Sequence, residues 1–168
     1  MPGWAYFVVG FIMLALVLLT FRRNTTVKHT TRAEYGGDFG GVLDEVDPAM
    51  EALREAVREG QERPVAMSAA RARSRVKDAI ATLDRLEVPA SLADEEWSEL
   101  EQLRVSLRQA MENYEWAARI AETTDLIENA GLRRGFDALV AAGDQLAVEC
   151  RLQLVALRPA DGAPAGEV

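Results

Sequence analysis

The chain has 168 residues, one cysteine, one histidine and a net charge of −8. That is room for one small domain plus an accessory segment, with no internal disulfide to staple it. The acidic balance argues against nucleic acid as a partner, because a phosphate-binding face needs surplus cations. Arginine far outnumbers lysine and alanine is abundant, which fits a high-GC bacterial genome.

Residues 1–21 contain no charged side chain. The run from Trp4 to Phe21, closed by Arg22 and Arg23, would span roughly 27 Å as a helix, close to a hydrocarbon core of about 30 Å. It reads as a single uncleaved transmembrane anchor over residues 1–23, with the lipid bilayer as the partner of residues 4–21. A signal peptide would want a basic residue ahead of the run and a small-x-small cleavage site after it, and neither is present. Arg22, Arg23, Lys28 and Arg32 all precede the first acid, Glu34, so the positive-inside rule places the N-terminus outside and the remainder in the cytoplasm. Trp4 and Tyr6 would then lie at the outer interface.

Residues 24–46 read as a flexible juxtamembrane tether, rich in threonine and in the glycines Gly36, Gly37, Gly40 and Gly41. His29 falls there with no companion at metal-ligand spacing. Asn24-Thr25-Thr26 matches a glycosylation acceptor, but on the predicted cytoplasmic side it carries no weight.

From Val42 onward the apolar residues recur in steps of three and four, which predicts helices with one buried stripe, and the bundle is placed over residues 47–158. The first is short, capped by Asp47 with Pro48 at its first position, carrying Met50, Leu53 and Val57 and ended by Gly60. The second starts between Pro64 and Ser68 and runs to Glu87, with Val65, Ala69, Ala72, Val76, Ile80, Leu83 and Leu86 inward. Its basic cluster, Arg71, Arg73, Arg75 and Lys77, reads most simply as a face paired with the acidic neighbouring helix, and otherwise as an interaction patch.

The third helix follows the break at Pro89, with Ser91 as cap and Asp94, Glu95 and Glu96 in its first turn. Leu100, Leu103, Leu107, Met111, Tyr114, Ala118 and Ala121 face the core, with Trp97 and Trp116 near the edges of the stripe. Two breaks compete for its end, at 123–125 or at 129–131. The first is preferred, because it makes Asp125 the cap and Glu128 its capping-box partner, while the second puts Arg133 and Arg134 against the helix dipole. The last helix carries Phe136, Leu139, Val140, Gly143, Leu146, Ala147, Cys150, Leu154 and Leu157 inward. Gly143 would let a neighbouring helix approach, and Cys150 reads as a small buried hydrophobe. Residues 159–168 read as a disordered tail.

The fold expected is therefore all-α: a single N-terminal transmembrane helix, then an antiparallel bundle of three long helices and one short one. No catalytic, cofactor-binding or metal-binding set is legible. There is no Glu-x-x-His pair, no glycine-rich phosphate loop, no Cys-x-x-Cys and no Ser/His arrangement. The reading is a non-enzymatic interaction or scaffold module at the cytoplasmic face of a bacterial membrane, without cofactors, with protein partners unknown and self-association open. The alternative is an extracytoplasmic sensory or ligand-binding bundle.

Overall fold

The computed structural model describes residues 27–28, 32–87, 94–123 and 125–157. Among them are four helices: α1 (Arg32–Glu59), α2 (Glu62–Arg85), α3 (Asp94–Ala121) and α4 (Ala130–Leu157). Two two-residue segments, β1 (Val27–Lys28) and β2 (Leu86–Glu87), pair in parallel, Val27 with Leu86 and Lys28 with Glu87. They are too short to make a sheet, and the fold is all-α. Short connections force consecutive helices antiparallel, and each packs extensively on the next in chain order, whereas α1 and α4 touch far less.

The first helix is long, not short, and this corrects the tether expected at 24–46. Residues 32–46 belong to α1, which has 28 residues. Tyr35, Phe39, Val42, Leu43 and Val46 are all buried in it. Those positions recur every three or four residues, so the helical stripe begins well before Asp47. The four glycines each cost about 1 kcal/mol relative to alanine in a helix. Burial of the Tyr35 and Phe39 rings, whose centroids are 6.3 Å apart, outweighs that cost. Pro48, expected to start the helix, lies inside it. Both Pro48 and Asp44 are exposed, so the carbonyl that the missing N–H leaves unbonded faces solvent. Gly60 ends α1 at φ 71° and donates its N–H to the Ala56 carbonyl at 3.2 Å.

In α2 the buried residues are Val65, Ala69, Ala72, Val76, Ala79 and Leu83. Leu86 is extended, at φ −77° and ψ 103°, two residues sooner than expected, and enters the pairing with Val27. In α3 all seven residues expected inward are buried. In α4 Phe136, Val140, Gly143, Ala147 and Cys150 are buried, with Leu139, Leu146 and Leu154 packed partly against them.

The preferred break between the last two helices is corrected in part. Helix α3 does stop at Ala121, where Thr123 donates both its N–H and its hydroxyl to the Ile120 carbonyl, at 3.1 and 2.6 Å. But Asp125 does not cap a helix. Residues 125–128 form a separate turn, closed by the Asn129 N–H on the Asp125 carbonyl at 2.8 Å, with Leu126 buried beneath it. Asn129 is the cap of α4: its Oδ1 accepts from the N–H groups of Gly131 and Leu132 at 2.9 and 3.2 Å. Satisfying two orphan donors outweighs the unfavourable position of Arg133 and Arg134 near the N-terminus.

Among the described residues no helix is long and apolar enough to cross a membrane. This overturns the single-pass placement, N-terminus outside and bundle in the cytoplasm. Each of the four helices interrupts its apolar stripe with charged residues on the outward side. The 4–21 run on which that placement rested, with Trp4, Tyr6, Arg22 and Arg23, lies outside the described residues, as do His29 and the tail.

Candidate interaction surfaces

The core has no buried polar or charged residue among the described residues. No three His, Cys, Asp or Glu side chains there gather as a metal site. Two of the outer faces stand apart.

The first is the seam between α1 and α4. Toward its open end, Gly36, Gly37, Gly40 and Gly41 of α1 face Leu154 and Val155 of α4 across a groove of about 460 Å³. Val148, Leu152 and Val155 form a ridge beside it, exposed by 53, 69 and 65%. Spaced four and three residues apart, they share one side of α4. The charged residues between Ala138 and Leu157 are only Asp144, Glu149 and Arg151. Such a helix side is normally covered.

Farther along the seam, charge pairs join the two helices. Arg151 is ion-paired with Asp47, and Arg54 with Asp144. The Asp144 carboxylate also accepts the Tyr114 hydroxyl of α3 at 2.7 Å, so one acid ties three helices together. Burial, reinforced by the facing Asp144 charge, raises the Tyr114 pKa well above the usual phenol value. A shallow depression of about 530 Å³ runs over this cluster. Arg54 pairs with Glu51 and Asp144, and Tyr114 with Asp144, while Arg54 Nε is buried without a hydrogen-bond partner.

The ring of Tyr114 reaches that acid because Gly143 lies beneath it. A Cβ at Gly143 would sit 2.5 Å from Tyr114 Cε1. The expected close approach at Gly143 is thus made by a side chain of α3. Cys150, two turns further, is fully buried, and its thiol is pushed up to about 11 by burial, with the Glu149 charge adding to it.

The second face is the outer side of α2, and here the basic cluster divides. Arg73 turns to α3, donating to Glu122 at 2.6 Å with Glu115 at 4.0 Å. It follows the reading of a face paired with its acidic neighbour. Arg71, Arg75 and Lys77 do not: they are exposed and, among the described residues, make no ion pair. Arg63 shares that state. By contrast, every arginine of α1 and α3 is ion-paired: Arg32 to Glu99, Arg54 to Asp144, Arg58 to Glu55, Arg104 to Glu101, Arg108 to Asp84 and Arg119 to Glu115.

Arg32, expected beside a membrane, is thus engaged with the bundle, and Lys28 lies in the two-residue pairing with Glu87. Trp97 and Trp116 are exposed by 42 and 55%, and the Arg119 guanidinium sits 4.7 Å from the Trp116 ring centroid. Sequence reasoning missed the α4 ridge, whose signal was the scarcity of charge on every side of that helix after Ala138. Comparison with protein-family models, with curated proteins and with solved structures finds no match.

Proposed function

We propose that this chain is a non-enzymatic interaction module, a helical bundle that recruits or spaces partner proteins through its outer faces. The observation that carries the reading is the α4 ridge of Val148, Leu152 and Val155, left in water beside a glycine-floored groove. Burying three such side chains in a partner's interface would contribute several kcal/mol, at about 1.5–3 kcal/mol for each one fully covered. The ridge-and-groove form suits an apolar helix laid along the seam. A ligand-binding bundle has less support, since the polar cluster at Asp144 is internally paired.

The test is a photo-crosslinking residue placed at Gln145, beside the ridge, in the full chain expressed in its own cells. A defined protein adduct is expected, and Leu152→Glu with Val155→Glu should remove it while leaving the helical circular dichroism unchanged. An adduct that persists in that variant, or no protein adduct at all, overturns the reading.

A further inference from the structure

The outer side of α2 carries a charge pattern at odds with the rest of the molecule. By sequence, α2 has six bases and three acids, while α1 has three bases and eight acids and α3 has three bases and seven acids. In a chain with eight more acids than bases, an exposed arginine should readily find a carboxylate. Those of α1 and α3 do, whereas Arg63, Arg71, Arg75 and Lys77 of α2, like Arg133 and Arg134 of α4, make no ion pair among the described residues.

Their spacing has a shape as well as a sign. Arg63, Met67, Arg71 and Arg75 succeed one another at intervals of four and form one ridge of the helix surface, with Met67 exposed by 62%. The next row, also at intervals of four, is Glu62, Ala66, Ala70, Ser74 and Asp78, all exposed, so an acid stands at each end of its three small residues. Lys77 stands on the far side of that row. A lane of small residues thus runs between cations, over roughly 21 Å from Arg63 to Lys77 at 1.5 Å per residue.

We infer that this lane docks an acidic amphipathic helix of a partner protein, which lays small apolar residues on Ala66, Ala70 and Met67 and turns carboxylates to Arg63, Arg71, Arg75 and Lys77. The inference rests on the interaction-module reading but uses a different face from the α4 ridge. Small residues let two helices approach closely, and interdigitating rows of side chains set their crossing. Charge complementarity selects the sign of the partner and speeds its encounter. A nucleic acid or a flat anionic surface is a poorer occupant. Either would extend past the lane onto the acid-rich helices α1 and α3, whereas a single helix about 10 Å wide stays within it.

The experiment measures binding of the full chain to a fluorescent 20-residue helical peptide with an alanine and leucine ridge flanked by glutamates. The controls are the same peptide with lysines for glutamates, an RNA oligonucleotide, and vesicles containing phosphatidylserine. The acidic helix should bind at least tenfold more tightly than the lysine peptide and weaken as salt rises from 50 to 300 mM. Arg71→Glu, Arg75→Glu and Lys77→Glu together should abolish binding, and Ala70→Tyr, which fills the lane without changing charge, should weaken it at least tenfold.

Equal affinity for the two peptides, survival of binding in the triple variant, or binding of RNA or vesicles in preference to the acidic peptide overturns the inference. Leu152→Glu should leave peptide binding unchanged, so loss of the lane and loss of the α4 ridge are read separately.

Discussion

The Tyr114 ring of α3 rests directly on Gly143 of α4, where even a methyl group would have to displace it. That contact delivers the tyrosine hydroxyl to Asp144 and, through it, links α3 to Arg54 of α1. A single absent side chain thus determines whether three helices can share one acid.

Gly143→Ala should therefore destabilise the bundle by about 1–3 kcal/mol, the usual cost of overpacking, even though alanine is the better helix former. Urea unfolding gives the number. In a Tyr114→Leu background the cost should shrink, because the ring that the new methyl strikes is gone; an unchanged cost would disprove the contact.

The glycines of α1 should behave in the opposite way. A Cβ at Gly37, Gly40 or Gly41 meets nothing within 4 Å. Alanine at each should raise stability by up to about 1 kcal/mol, mainly through the backbone freedom that glycine loses on folding. Thermal unfolding of the triple variant checks this, and a fall in the midpoint would show that the segment is not held as helix.

Asn129→Ala should cost about 1 kcal/mol, the typical value of a lost N-cap, and more than Asp125→Ala, because it is Asn129 that caps α4. The pair separates the two starting points considered for the last helix. A larger loss at Asp125 than at Asn129 would restore the earlier start.

Cys150 should resist alkylation near pH 8, reacting far more slowly than a free cysteine, since its thiol is pushed up to about 11 from 9.0. The same shift bears on stability. The pKa in the folded state is the higher one, so the thiol's contribution is complete below about pH 9 and is lost as pH rises toward 11. Tyr114, also raised, adds a loss that begins above pH 10. Stability followed by circular dichroism should thus decline from pH 9 upward, and Cys150→Ala should flatten the first part of that decline.

Much of α2, α3 and α4 was legible because their apolar residues keep helical spacing without interruption. The start of α1 was not, because four glycines conceal a stripe that Tyr35 and Phe39 already announce. Glycine composition describes what a backbone loses on ordering, not what its neighbours gain by burial. The division of the basic cluster was partly legible. Arg73, one position after the buried Ala72, lies at the edge of the stripe that faces α3, while Arg75 and Arg71, each one position before a buried residue, lie on the opposite side of the stripe. That these two would remain unpaired could not be read, since it depends on how far the α1 carboxylates stand from them in space. Nor could the uncovered α4 ridge be separated from a buried one by spacing alone.

The sparse seam between α1 and α4 also bears on how the bundle assembles. Its joining pairs, Arg54 with Asp144 and Asp47 with Arg151, lie 90 and 104 residues apart along the chain. Neighbouring hairpins need only short loops to close, so they can zip up early, while the edge between first and final helix carries the greatest loop-closure entropy and the fewest contacts to repay it. That edge completes the ring last, and under strain it is where the ring first comes undone.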